Sequence, residues 1–156
     1  MLLSGDRWVR RTIAIALFLL LVFPFSAGNG AEADPTTAAQ AVRRFGEALI
    51  DAEPAPLKRL LPRRGKVQLR LVHLGSGDGF FSAGQVEALF RDFLAAGTVH
   101  SFRPLGVEQA ARGVALVRAR VDLTTREGTR TSVEIHLALQ PEDGRWVLRE
   151  IRETPS

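Results

Sequence analysis

Three histidines, His73, His100 and His136, are the side chains of this 156-residue chain that can exchange a proton near neutral pH, and each needs a partner to do chemistry. His73 is in phase with Val67, Leu69 and Leu71, which alternate with Gln68 and Arg70 as a half-buried strand does. Glu150 is in phase with Trp146 and Leu148, provided that the Pro141 to Gly144 segment keeps the register and no bulge turns Ile151 inward instead. An imidazole and a carboxylate brought together on inward faces can bind a small ligand or take a proton from it. His100 shares an irregular strand with Phe102, and Asp78 sits in the glycine-rich run Gly75 to Gly79; both join the candidates.

Other chemistries drop out on composition and spacing. The run Gly75-Ser76-Gly77-Asp78-Gly79 lacks the lysine and the strand-to-helix setting of a phosphate loop, and reads as a flexible turn. No Gly-x-Ser-x-Gly elbow occurs. With no cysteine in the chain, disulfides, cysteine-ligated zinc and iron–sulfur sites are excluded. The histidines match no metal-ligand spacing, and His136 falls on a wet strand face. Neither a metal nor a cofactor is expected.

The elements that must position these groups follow from periodicity. Asp34 and Pro35 suit the N-cap and first position of a helix whose apolar stripe is Ala38, Ala41, Val42, Phe45 and Leu49. Gly46 inside that helix costs about 1 kcal/mol relative to Ala, which points to something packed against its bare backbone. Pro54 and Pro56 open a short second helix through Leu57, Leu60 and Leu61, stopped by Pro62. Ser82 and Gln85 have capping-box spacing, so a third helix starts there, packs through Val86, Leu89, Phe90, Phe93 and Leu94, and ends on a left-handed Gly97.

Strands follow. His100 to Val107 carries Pro104, which implies an edge or a bulge. Val117 to Leu123 and Val133 to Leu139 alternate cleanly; a loop over 125 to 129 sets Thr124 opposite Arg130, Arg120 opposite Glu134 and Arg118 opposite His136. A turn at Pro141 to Gly144 leads into a last strand, Trp146 to Ile151. Helices followed by a meander predict an α+β fold, with a curved antiparallel sheet wrapped around N-terminal helices.

Ahead of this domain, Arg7, Arg10 and Arg11 precede an uncharged apolar run from Ile13 to Phe25. Its thirteen residues fall short of the roughly 20 a membrane-spanning helix needs. Ala31-Glu32-Ala33 then supplies the small-x-small pattern of a cleavage site, so residues 1–33 read as a signal peptide and 34–156 as one exported domain, periplasmic or secreted. That domain keeps 18 basic against 15 acidic residues, which is no nucleic-acid footprint. The membrane is met only during export.

The stretches Phe81-Ser82 to Phe90-Arg91-Asp92-Phe93, Ser101-Phe102, Leu123-Thr124-Thr125 and Trp146-Val147-Leu148-Arg149-Glu150-Ile151 resemble the nuclear-transport-factor-like, or cystatin-like, α+β cone superfamily. Within it they resemble a small secreted bacterial family of unknown function, across Asp34 to Glu153. The resemblance implies a pocket between sheet and helices, with Asp78 near its mouth and His73, Glu150 and His100 as lining. It also implies a scaffold that hosts enzymes, ligand binders and adaptors alike. The chain has no tyrosine to act as the oxyanion donor of the isomerase type. Nine phenylalanines favour an interior filled by Phe45, Phe90, Phe93 and Trp146, hence a non-catalytic module. Its expected partners are a small-molecule ligand, another protein, or a second copy through the exposed sheet face. The alternative is a small lyase or isomerase using a His/acid pair.

Overall fold

The computed structural model describes residues 37–109 and 113–154; the leader and the Asp34-Pro35 cap lie outside the described residues. Helix α1 (Ala38–Ile50) starts three residues after Pro35, with Thr37 as its N-cap. The Gln40 N–H donates to the Thr37 hydroxyl at 3.1 Å, and the Thr37 N–H donates to the Gln40 side-chain oxygen at 3.0 Å. A Thr-x-x-Gln box satisfies two orphan donors at once, which is the reason the helix begins here. All five residues of the expected stripe are buried. Helix α2 (Pro54–Leu60) follows, with Leu57 and Leu60 buried.

Strands β1 (Val67–Leu71) and β2 (Gly77–Phe81) form a hairpin that places Asp78 opposite Arg70. The glycine-rich run is therefore turn only as far as Ser76 and strand beyond it, because the main chain of β1 offers it a ladder. Helix α3 (Ala83–Ala96) carries the expected Ser82/Gln85 box. Its C-cap Gly97 has φ −113°, extended rather than left-handed, since the chain passes straight into β3. Glycine serves there for close approach: a Cβ would stand 3.0 Å from both the Thr124 carbonyl oxygen and the Phe93 ring.

Strands β3 (Thr98–Gln109), β4 (Ala115–Thr124), β5 (Arg130–Glu142) and β6 (Arg145–Thr154) complete a six-stranded sheet in the order β2-β1-β6-β5-β4-β3. The expected pairs Thr124–Arg130, Arg120–Glu134 and Arg118–His136 are all present. Strand β3 is an edge strand and slips register after Val99 and after Pro104. The β5–β6 connection is tighter than expected, a two-residue turn at Asp143 and Gly144, both at positive φ. One pair departs from the antiparallel pattern: β1 runs parallel to β6, because the meander leaves the β6 edge free and the β1–β2 hairpin adds there.

Aromatic side chains pack into the space between helix α1 and the inner face of the sheet. Phe45 meets Phe90 edge-on, with ring centroids 5.9 Å apart, and meets Phe102 at 5.8 Å. The Phe102 ring lies directly over Gly46, the close approach that the glycine signalled. Phe93 is buried and Trp146 packs against the same core.

Candidate functional site

The site depends on a bulge in β6. Ala138 pairs with Glu150 while Leu139 pairs with Leu148, leaving Arg149 extra. The bulge reverses the phase of every later residue: Ile151 is fully buried and Glu150 stands on the outer face of the sheet. Glu150 therefore does not meet His73. Its carboxylate lies 3.9 Å from Arg152 instead.

Two residues past Ile151, Glu153 returns to the inner face and is 5% exposed. Parallel pairing of β6 with β1 brings it beneath the turn that leaves β1. There its carboxylate accepts the backbone N–H groups of Val72 at 3.0 Å, His73 at 2.9 Å and Leu74 at 2.6 Å. It also stands 3.2 Å from Nδ1 of His73. The acid beside His73 is therefore Glu153, which the sequence pattern did not single out. The signal was the inward bulge that Ile151 could make, followed by one more step of alternation.

His73 lines a cleft of about 390 Å³. Val72, Gly75 and Ser76 form one wall, Leu89, Asp92, Phe93 and Ala96 of α3 a second, and Thr125, Arg126 and Glu127 of the β4–β5 turn a third. The Glu127 carboxyl is held below its usual range chiefly by its own backbone N–H, against some burial and with help from Arg126. With a carboxylate fixing Nδ1–H, the imidazole presents Nε2 as its remaining polar atom. A cleft with an oriented imidazole, apolar side chains from α3 and charges of both signs can hold a small polar ligand.

The other candidates lie elsewhere. His100 is exposed at the first register slip of β3, its Nε2 2.8 Å from the Thr124 hydroxyl. Asp78 is exposed on β2, 3.9 Å from Arg70, and is a strand residue rather than part of the cleft. His136 lies on the outer face, 3.5 Å from Glu134. A polar cluster that sequence reasoning did not find joins β3 to β4: Ser101 donates to Asp122 at 2.6 Å and Arg103 at 3.1 Å. Hydrogen bonds from Ser101 and Ser132, more than the nearby Arg103, hold Asp122 below its ordinary range. Among the described residues, no three His, Asp or Glu side chains converge as metal ligands.

Solved structures share this architecture. An NTF2-like protein of unknown function from Shewanella oneidensis MR-1 aligns with a TM-score of 0.58 at 16% identity, over 75% of this chain and 95% of that one. A DUF4783 family protein from Bacteroides uniformis aligns with a TM-score of 0.58 at 13% identity, over 73% and 95%. A Thiobacillus denitrificans protein proposed as a calcium/calmodulin-dependent protein kinase type II association domain gives 0.64 at 15%, over 80% and 99%. No family model and no curated protein matches the sequence. The chain has the NTF2-like α+β cone fold, in common with bacterial proteins of unknown function.

Proposed function

We propose that this chain is an exported NTF2-like domain that binds a small polar ligand in the His73 cleft and performs no chemistry in its interior. The observation that carries the reading is the closed interior: Phe45, Phe90 and Phe102 occupy the space in which a cone enzyme would hold substrate. The open volume lies instead at the rim, beside an imidazole braced by Glu153. Export is supported by the arginine-led apolar run and the Ala31-Glu32-Ala33 pattern.

Native mass spectrometry on the full chain expressed in a bacterial host, with periplasm and cytoplasm separated, tests the reading. The expected species is a periplasmic protein beginning near Asp34 that carries an added small-molecule mass, which His73→Ala loses. A cytoplasmic chain retaining residues 1–33 would overturn export. A bare mass that stays bare after incubation with periplasmic extract would overturn ligand binding.

The His73–Glu153 pair also supports a second reading, a lyase or isomerase acting at the cleft with Nε2 of His73 as base and Glu153 as its orienting group. Turnover of a bound ligand that stops in both His73→Ala and Glu153→Gln, with binding retained in the latter, would select it.

A further inference from the structure

The walls of the His73 cleft are fixed relative to one another. Gly75 rests on α3, where a Cβ would stand 2.6 Å from the Leu89 side chain, so the turn that carries His73 is held against the helix that carries Asp92. Leu89, Asp92, Phe93 and Ala96 recur at helical spacing and line the cleft together.

The polar groups of the cleft are either spent or accepting. The Glu153 carboxylate already takes three backbone N–H groups, and with Nδ1 of His73 donating to it from 3.2 Å, Nε2 keeps a free lone pair. Arg126 sits beside Glu127, and its charge is set against that carboxylate. Asp92 is exposed and has no ion-pair partner among the described residues, since the cations on and beside α3, Arg91 and Lys58, both go to Glu87. Around a neutral imidazole, Asp92, Glu127 and Glu153 thus outnumber Arg126. An anion would find Arg126 as its only charged donor among the lining residues and would meet net repulsion. A cation that carries N–H groups would meet attraction and acceptors.

We propose that the occupant of the His73 cleft is a small primary amine, its ammonium donating to Asp92, Glu127 and Nε2 of His73 and its apolar body lying over Leu89 and Phe93. The inference rests on the reading of this cleft as the ligand site and adds the class of ligand. A primary ammonium has three N–H donors, one for each acceptor. Asp92 and Glu127 are both exposed, so their attraction is screened and binding weakens as salt rises.

The test follows backbone amide resonances of the purified chain during titration with 2-phenylethylamine and with three probes of the same framework: 2-phenylethanol, without charge; 3-phenylpropanoate, with the opposite charge; and the N,N,N-trimethyl form of the amine, with charge but no N–H. The amine should shift His73, Ser76, Asp92 and Glu127, and should bind at least about tenfold more tightly than each of the others. Asp92→Asn should weaken it about tenfold. Arg126→Gln should strengthen it, the opposite of what an anion would show. Tighter binding of 3-phenylpropanoate, or weakening by Arg126→Gln, would overturn the amine and leave the cleft as a ligand site. So would equal binding of 2-phenylethanol or of the trimethyl form. If no probe moves these amides at millimolar concentration while the chain carries a small-molecule mass that His73→Ala loses, the amine alone is overturned; if that mass is missing too, the reading of the cleft falls with it.

Discussion

The Nδ1 atom of His73 stands 3.2 Å from Oε2 of Glu153, a carboxylate that also takes the backbone N–H groups of Val72, His73 and Leu74. The end of the last strand is thus tied to the turn that follows the first one, 80 residues away in sequence. The two partners contribute unequally. Glu153 is enclosed, while the His73 side chain is 44% exposed.

Removing each partner should separate these contributions. Glu153→Ala leaves three backbone donors of the turn without an acceptor and should cost about 3 kcal/mol. His73→Ala removes one partly exposed contact and should cost under about 1 kcal/mol. Urea unfolding of the two variants checks the ratio; equal losses would mean that the imidazole, not the backbone cradle, holds the carboxylate in place.

Gly46 should resist substitution by the best helix former. Gly46→Ala gains about 1 kcal/mol of helix propensity, but its methyl group would enter the Phe102 ring, which is itself pinned against Phe45. Overpacking of this kind costs about 1–3 kcal/mol, so a net loss of stability is expected. In the double variant with Phe102→Leu the two changes should offset each other in part, a coupling that thermal unfolding of the four proteins measures. Additive losses would show that the cost of Gly46→Ala does not arise at the Phe102 ring.

Most of the fold was legible because its signals are local. The Ser82/Gln85 box, the stripe of α1 and the β4–β5 register each rest on residues within one element or one hairpin, and all three hold. What escaped depends on two segments meeting. Nothing within Gly75 to Gly79 says that it will pair with β1, and nothing within β1 says that it will lie parallel to β6. The site suffered most from a single extra residue. Once Arg149 bulges, Glu150 leaves the inner face and Glu153 stands beside His73, so the expected pairing of His73 with Glu150 does not form.

Acid should loosen the hairpin between β5 and β6 through Glu142. Burial pushes its carboxyl up, but the backbone N–H groups of Arg63 and Arg64, with Arg149 and Arg145 beside it, outweigh that and hold it below its ordinary value of 4.5. A folded-state pKa below the unfolded one means that the stabilisation is complete above about 4.5 and is lost as the pH falls through the folded value. Glu142→Gln should therefore lie below wild type at neutral pH and converge with it in acid. Urea midpoints across that range decide it; a gap that stays constant with pH would exclude the carboxylate charge as the source.

The same carboxylate should govern proteolysis of the segment entering β1. Arg63, Arg64 and Lys66 are exposed and offer trypsin its preferred side chains. Their backbone is anchored from β5 and β6. Glu142 accepts the Arg63 N–H at 2.8 Å and the Arg64 N–H at 3.3 Å, Arg149 donates to the Arg64 carbonyl at 2.7 Å, and Arg145 donates to the carbonyls of Arg59 and Leu61. Cleavage requires the segment to leave these partners and extend, so its rate reports the free energy of that local opening. Glu142→Ala removes two acceptor contacts and an ion pair to each arginine, and should raise the cleavage rate at Arg63 and Arg64 by about tenfold or more. Arg91, on the surface of α3 and clear of this network, serves as the internal reference. Timed digestion read by mass spectrometry gives both rates from one sample. If cleavage at all these sites accelerates in parallel, the variant opens globally, and the anchoring of the segment is not a separate unit of stability.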